Sequence, residues 1–331
     1  MIHLETEKIL FSGAGFTHNF GAPLAEGLWG FIFNNKLVQQ EQRVKKLLLD
    51  NSDFEAVYQN VVHGDYSESE RHAMRKATSE VYEKLDFIVR NWIFRPDASY
   101  PVNIYKVQEM IDLFSKRNKK GFFFTLNQDL FIERRYYNGE RPVIPGIQPK
   151  QAWFSSIFNM QLRPTDYCVT PSKEFIEANK EEILSSSKFF YIKLHGSQNW
   201  LSSEGKQQMV IGSGKAGQIW QDPVLSWYFE IFKAVVLHKN RKMLIIGYGF
   251  KDTHINEIFS EAVDKYGLRI YLISPESIDS LKRNLNKSEH GKKILTGLSG
   301  YYQCNLLQMF PSDQSTAQFY QDLREQFFGL P

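Results

Sequence analysis

The fold of this 331-residue sequence is decided by its first apolar stretch, Ile9-Leu10-Phe11-Ser12-Gly13-Ala14-Gly15. The apolar run is typical of a buried strand, and the glycines after it indicate a turn that leads into a helix. Glycine backbone can approach a phosphate closely, and the amides at a helix N-terminus can bind it. The third glycine of the usual dinucleotide-binding fingerprint is missing, because His18 stands at its position. A tight turn in an ordinary βα unit therefore stays an alternative interpretation.

Apolar runs further along the chain are also predicted to be strands, because they are short, buried in character and bounded by glycine or polar residues. They cover residues 122–126, 189–194, 243–246 and 270–273, and a last strand is expected near 302–309 before a C-terminal amphipathic helix. Helical patterns separate them, including one that Asp222-Pro223 begins as a cap followed by proline. Apolar strands that alternate with helices indicate a mostly parallel sheet covered on both faces. The sequence therefore predicts an α/β protein with a Rossmann-like, doubly wound sheet.

A helical block interrupts this series at residues 36–118, where apolar side chains such as those from Val81 to Trp92 recur at helical spacing. We predict a helical insertion or subdomain there. The sheet-containing domain would then consist of residues 1–35 and 119–331. Residues 140–186 are expected to form a long irregular excursion that ends in one helix, because several prolines interrupt regular structure.

Composition restricts the function classes. The formal net charge is only +3, from 40 basic and 37 acidic side chains, so strong electrostatic attraction to nucleic acid or anionic membranes is not indicated. Cys168 and Cys304 are the only cysteines, which excludes a four-cysteine zinc site within the chain. The N-terminus carries acidic residues, and no stretch approaches 18 apolar residues. We expect a cytoplasmic protein without a membrane span.

Polar side chains follow two of the predicted strands, where the binding crevice of such a sheet lies. Asn127 and Asp129 come just after one strand and can bind hydroxyls, an amide or a water, although both residue types also cap helices. His195 comes after the next strand and can accept a proton near neutral pH. A structural or merely exposed histidine is the alternative.

A further strand ends in Gly247-Tyr248-Gly249-Phe250-Lys251-Asp252-Thr253-His254. The glycines would admit a ligand closely. We expect Asp252 to cap the helix that follows and His254 to lie on the surface of that helix, and a pocket-facing His254 is the alternative.

These segments, in this order, resemble the sirtuin superfamily, and more closely its bacterial sirtuin-like branch used in anti-phage defence. The resemblance covers residues 8–30 and roughly 119–275. Four motifs carry it: Gly13-Ala14-Gly15-Phe16-Thr17 with Gly21-Ala22-Pro23-Leu24; Thr125-Leu126-Asn127-Gln128-Asp129; Lys193-Leu194-His195-Gly196-Ser197 with Asn199-Trp200; and Ile245-Ile246-Gly247-Tyr248-Gly249-Phe250 with Asp252.

The resemblance implies an NAD-binding site in the sheet-containing domain. Asn127 and Asp129 would place the nicotinamide ribose, its amide and a water, and His195 would be the general base. Residues Gly13 to Thr17 would hold the pyrophosphate, and the segment after Gly247 together with Ser274 would line the adenosine side. The implied binding residues are Gly13, Ala14, Gly15, Phe16, Thr17, Pro23, Gly247, Tyr248, Phe250, Asp252 and Ser274.

The sequence also departs from the classical sirtuin deacylases. Those enzymes carry a four-cysteine zinc module after the His-Gly motif, whereas residues 198–240 here contain no cysteine, so we expect no zinc ribbon. The Pro-Asp-Phe-Arg segment of the cofactor loop is missing after Gly21, and Leu126 replaces the glutamine before the key asparagine. The missing zinc module argues against an acyl-lysine channel, and the two other differences imply that the ribose contacts and the shielding of nicotinamide differ from those of the deacylases.

The implied activity is that of an NAD+ glycohydrolase, a hydrolase that cleaves NAD to nicotinamide and ADP-ribose without a metal and depletes it in antiviral, anti-phage defence. The resemblance also implies a cytoplasmic homo-oligomer and a separate partner subunit, commonly a HerA-like DNA-translocating ATPase. One alternative is a regulatory subunit that binds NAD or ADP-ribose without turnover. A second alternative is a protein deacylase or an ADP-ribosyltransferase.

Overall fold

The computed structural model describes residues 4, 6–91, 102–116, 120–136, 141–147, 166–212, 214–313 and 315–331. Its strands are β1 (Lys8–Ser12), β2 (Gly121–Thr125), β3 (Cys168–Val169), β4 (Phe189–Lys193), β5 (Gly196–Leu201), β6 (Gln207–Met209), β7 (Lys242–Ile246), β8 (Arg269–Ile273) and β9 (Leu298–Tyr302). Six of them form one fully parallel sheet in the order β4-β2-β1-β7-β8-β9. A small second sheet has the order β3-β5-β6.

Helices cover both faces of the large sheet. They are α1 (Ala14–His18), α2 (Ala25–Phe33), α3 (Lys36–Gln40), α4 (Gln42–Asp50), α5 (Phe54–His63), α6 (Glu68–Arg90), α7 (Ile104–Asp112), α8 (Phe131–Arg135), α9 (Lys173–Ser185), α10 (Lys215–Gln221), α11 (Pro223–Val236), α12 (Thr253–Tyr266), α13 (Ile278–Leu285), α14 (Glu289–Thr296), α15 (Leu306–Met309) and α16 (Gln318–Leu323). A 3-10 turn at Leu113–Ser115 and a π-helical turn at Arg324–Phe328 extend α7 and α16.

Aromatic side chains on alternate positions of the central strands pack against different helices. Phe11 of β1 contacts Phe232 of α11 and Phe259 of α12, with ring centroids 5.9 and 5.0 Å apart. Phe123 of β2 contacts Phe16 of α1 on the other face, at 6.2 Å. Because successive strand residues point to opposite faces, this core buries both sides of the sheet. The predicted Rossmann-like, doubly wound, mostly parallel fold is confirmed.

Two predictions about individual elements have opposite outcomes. The helix predicted from Asp222-Pro223 is confirmed as α11, and the Asp222 carboxylate accepts a hydrogen bond from the Leu225 amide at 2.9 Å. The strand expected near 302–309 was placed wrongly, since β9 ends at Tyr302 and α15 follows. A reciprocal pair of bonds between Asn305 and Gln308 starts that helix, a capping signal that the apolar pattern concealed.

The helical block has a hydrophobic cluster of its own. Its buried side chains are Ile32, Val38, Val44, Leu48, Phe54, Val57, Val61, Met74, Ala77 and Val81. Ile32 belongs to α2, which lies before residue 36, so this packing unit takes in a helix from the first segment. The division into residues 1–35, 36–118 and 119–331 stays a prediction.

Part of the expected irregular excursion lies outside the described residues, namely 148–165 with Pro149 and Pro164, and so does Trp92 of the helical pattern. The described end of the excursion contains β3 and the predicted helix, which is confirmed as α9. Among the described helices, none combines the length and the apolar character that crossing a membrane requires.

Candidate functional site

Two glycine loops pack directly on each other where β1 and β7 end. The Gly15 amide donates to the Gly247 carbonyl at 2.8 Å, and the Gly13 amide donates to the Ile246 carbonyl at 3.1 Å. Gly247 has a φ of +65°, and a Cβ there would lie 2.2 Å from the Phe16 nitrogen. The close packing of the two loops is therefore sufficient to explain the glycines, as the tight-turn interpretation expects. The first glycine loop lies at the end of β1, where Ala14 is exposed and Gly15 is half-buried.

Hydroxyl groups join the first glycine loop to the segment after β2. The Ser12 hydroxyl donates to Thr125 Oγ1 at 2.7 Å, and the backbone N–H of Asn127 donates to the same oxygen at 3.1 Å. The Asn127 side-chain Nδ2 donates to Thr17 Oγ1 at 3.3 Å. The Thr17 hydroxyl itself donates to the Ala14 carbonyl at 3.3 Å, and its proximity helps to lower the pKa of the Asp129 carboxyl. The structure therefore brings three predicted residues, Thr17, Asn127 and Asp129, close together, and Thr17 and Asn127 are hydrogen-bonded.

Asp129 is buried and serves the local backbone as well. Its Oδ1 accepts from the Phe131 amide at 2.9 Å, but the N-cap residue of α8 is Leu130, so Asp129 is not the helix cap that the alternative interpretation expects. Burial raises the pKa of the Asp129 carboxyl, and Lys193, the hydrogen bond from Phe131 and the nearby Thr17 hydroxyl oppose this only in part. The buried Lys193 side chain contacts this segment: its Nζ lies 2.6 Å from the Asp129 carbonyl oxygen and 2.6 Å from Glu133 Oε1.

His195 is paired with a second histidine. Its Nε2 lies 3.0 Å from Nε2 of His254 at the start of α12, and the His195 ring is 4% exposed. The expectation of a surface His254 was therefore wrong, and the pocket-facing alternative is correct. Burial lowers the pKa of His195 to about 3, and burial also lowers the pKa of His254. Both imidazoles are therefore neutral at neutral pH, and one Nε2 donates while the other accepts.

Asp252 stands beside the two histidines. It occupies the N-cap position of α12, but its side chain makes no capping bond, so the capping expectation was wrong. Its Oδ1 lies 3.0 Å from Lys215 Nζ, which also contacts Glu55 Oε2 at 2.8 Å. Burial alone would raise the pKa of the Asp252 carboxyl, but the histidines and Lys215 together lower it below its ordinary value.

Two polar residues missed by the sequence reasoning support the histidine position. Gln128 Nε2 donates to the carbonyls of His195 at 2.9 Å and Val210 at 2.8 Å, and its Oε1 accepts from the Tyr82 hydroxyl at 2.6 Å. Tyr82 belongs to α6 of the helical block, as Glu55 belongs to α5. The only sequence signal was the position of Gln128 between two candidate residues, whereas nothing local marks Tyr82, Glu55 or Lys215.

The remaining predicted binding residues make local bonds. The Tyr248 hydroxyl donates to Asn256 Oδ1 at 3.0 Å, and the carbonyl of Phe250, whose φ is +54°, accepts from Asn256 Nδ2 at 2.7 Å. The Ser274 hydroxyl accepts from the Glu276 amide at 3.2 Å. Pro23 is half-buried just before α2. Their ligand-binding roles stay predictions.

A doubly wound sheet with this polar group beyond its strand ends has the architecture of the α/β proteins that bind ligands in the crevice outside the carboxyl ends of their strands. A protein-family model described as the SIR2-like domain matches residues 121–294, just over half of the sequence. The chain belongs to the SIR2-like domain family, whose members use NAD and include NAD-dependent enzymes. The match begins at β2, so the first glycine loop lies outside it. No curated protein matches the chain.

Proposed function

We propose that this protein is an NAD+ glycohydrolase that cleaves NAD to nicotinamide and ADP-ribose. The observation that carries the proposal is the register of two adjacent strands. Thr125 of β2 pairs with Lys193 of β4, so Asn127 and His195 each lie two residues beyond the same pair at one edge of the sheet. NAD bound along this edge would have both residues beside it.

The reaction needs little from the protein beyond orientation and charge stabilisation. The bond between the ribose C1′ and the nicotinamide nitrogen breaks with its electron pair on nicotinamide, and the sugar gains oxocarbenium character. A water oxygen forms the new bond to C1′, and His195 accepts the proton that the water loses. Asn127 and Asp129 would orient the ribose and the water, since an amide and a carboxylate can bind hydroxyls directionally.

Base catalysis requires a rearrangement at His195. A pKa of about 3 makes the buried imidazole a weak base, and His254 already occupies its Nε2. Substrate that enters must separate the two rings and bring polar groups to His195, which raises its basicity because the charged form is better solvated. The pKa of the Asp252 carboxyl lies below its ordinary value, so this side chain is ionised at neutral pH and supplies a negative charge nearby.

The test is nicotinamide release from NAD by the purified chain, followed by chromatography. We expect Asn127→Ala and His195→Ala to lose at least about 100-fold in rate, a typical loss for general base or orienting groups. His238→Ala is the matched control, because His238 is exposed and its ring lies against the neighbouring Lys239 carbonyl. Unchanged rates in both site variants would reject the proposal.

We further propose that the activity serves anti-phage defence in the cytoplasm, as a homo-oligomer with a separate partner such as a HerA-like ATPase. Support comes from the sirtuin-like motifs and from a physiological argument: an unregulated NAD hydrolase would be toxic. The closed His195–His254 contact fits a site that is inactive until triggered. Co-purification from native cells, and an NAD-loss time course with and without the adjacent gene product, test this part.

One observation favours a second candidate, a subunit that binds NAD or ADP-ribose without cleaving it. That observation is the burial of His195 as a neutral, already bonded imidazole. Calorimetric binding of NAD, with no nicotinamide released alone or with the partner, would establish this candidate.

A further inference from the structure

Three potential metal ligands lie together at the histidine side of the site. One ligand atom from each of His195, Asp252 and His254 can be chosen so that no two are farther apart than 4.8 Å. From the sequence we expected no metal, and β4 and the start of α12 are remote from each other in the chain. The three come together only because β4 and β7 end at the same edge of the sheet.

The separations suit a small ion with tetrahedral ligands. Zn²⁺ binds imidazole nitrogen at about 2.0–2.1 Å and carboxylate oxygen at about 2.0–2.2 Å, so two ligands stand about 3.4 Å apart around it. The two Nε2 atoms are 3.0 Å apart. A widening of a few tenths of an ångström would fit them to one ion. The Asp252 carboxylate oxygen lies within 4.8 Å of a ring nitrogen of each histidine and would have to move toward that ion.

The charges also favour a cation here. Asp252 and Glu55 provide two carboxylates, and Lys215 provides one ammonium group. Lys215 contacts Oδ1 of Asp252, which leaves the second carboxylate oxygen to turn toward an ion.

A cavity gives an ion access to His254 from outside. It has a volume of about 200 Å³, lies between α10, α11 and α12, and is lined in part by His254, Glu257, Glu261 and Lys233. Two carboxylates against one ammonium group attract a cation into this cavity. His254 therefore has one side toward His195 and the other toward a route from solvent.

We propose that His195, His254 and Asp252 form a binding site for one divalent transition-metal ion of the zinc class, with water as the remaining ligand. A His-His-carboxylate set with an open position is a recurrent zinc arrangement. On binding, the imidazole that carried its proton on Nε2 becomes the Nδ1–H tautomer, so no proton is lost. An ion there occupies the His195 nitrogen, so it would inhibit NAD cleavage. This consequence alone rests on the proposed function.

Direct binding tests the site without reference to activity. The full-length chain, stripped with a chelator and desalted, is titrated with Co²⁺ by visible absorption and with Zn²⁺ by calorimetry. We expect one ion per chain with tetrahedral-type Co²⁺ absorption. Relative to the wild type, His254→Ala should weaken Zn²⁺ binding by at least about tenfold, the loss typical even of supporting residues at metal sites. The exposed His238→Ala should bind as the wild type does.

Circular dichroism melting confirms that each variant is folded, and Asp252→Asn replaces His254→Ala if the latter does not fold. Failure of the folded wild type to bind one Co²⁺ or Zn²⁺, or equal affinity in a folded site variant, overturns the inference. Zn²⁺ should also inhibit nicotinamide release by the wild type. If Co²⁺ binds and no NAD is cleaved, the metal site stands and the proposed function falls.

Discussion

The two halves of the site are held by different interactions. The threonine half consists of Ser12, Thr17, Asn127 and Asp129. It is held by hydrogen bonds between hydroxyl and amide groups of adjacent loops. The histidine half, consisting of His195, Asp252, His254 and Lys215, is fixed by imidazole and ionic contacts between distant elements.

The difference has a physical consequence for function. Hydrogen bonds anchored on strand ends leave the threonine half little freedom, so it can orient a ligand without rearranging. The histidine half depends on charged groups whose contacts a ligand or an ion can replace. One of these groups, the Glu55 carboxylate, belongs to the helical block and contacts Lys215. Under the proposed function, the first half would therefore serve as the fixed part of the site and the second as its adjustable part.

The largest expected effect concerns the loop contact on which the threonine half rests. Gly247→Ala should lower the free energy of unfolding by more than about 4 kcal/mol, because the new Cβ meets the Phe16 nitrogen and φ is positive. Gly249→Ala is the matched control, since a Cβ at Gly249 meets nothing within 4 Å. Urea unfolding followed by circular dichroism measures both. Similar losses in the two variants would show that the loops do not pack as described.

The next effect concerns the buried ion pair beneath the threonine half. Lys193→Met should cost about 3–5 kcal/mol of unfolding free energy, because it leaves the Glu133 carboxylate buried without its partner. Adding Glu133→Leu should recover much of this loss. Lys206→Met removes an exposed pair with Glu204 and should leave the urea midpoint unchanged. If Lys193→Met were as stable as the wild type, the predicted contribution of the buried Lys193–Glu133 pair would be wrong.

Removal of the central hydroxyl should have an intermediate effect. Thr17→Val removes the hydroxyl that accepts from Asn127 Nδ2 and donates to the Ala14 carbonyl, and should cost about 1–3 kcal/mol. Thr253→Val, at an exposed threonine, is the control. Urea titration measures the free energy of unfolding of both variants. Equal values would show that the Thr17 hydroxyl does not stabilise the threonine half.

The smallest effect should come from the ionic link to the helical block. A double-mutant cycle of Glu55→Gln and Lys215→Met should give a coupling energy of about 0.5–1 kcal/mol, since the pair is partly exposed. Thermal unfolding of the four proteins measures it. A coupling as large as that of the Lys193–Glu133 pair would abolish the contrast between the fixed and adjustable halves.

Local sequence patterns determined the fold and the edge at which the site lies. Apolar runs ending in glycine or polar residues predicted five of the six strands of the large sheet, because burial on both faces requires uninterrupted apolar side chains. The same pattern located Asn127, Asp129 and His195 directly after strands. The last strand was misplaced because the capping pair of Asn305 and Gln308 lies within an apolar region.

Only the tertiary structure decided which of these residues meet. His195 and His254 are 59 residues apart, and Lys215 joins Asp252 to Glu55 of the helical block. Such contacts depend on strand order and helix placement, which no local pattern encodes. The sequence by itself therefore determined which side chains follow the ends of the strands, and the three-dimensional packing determined their partners and their burial.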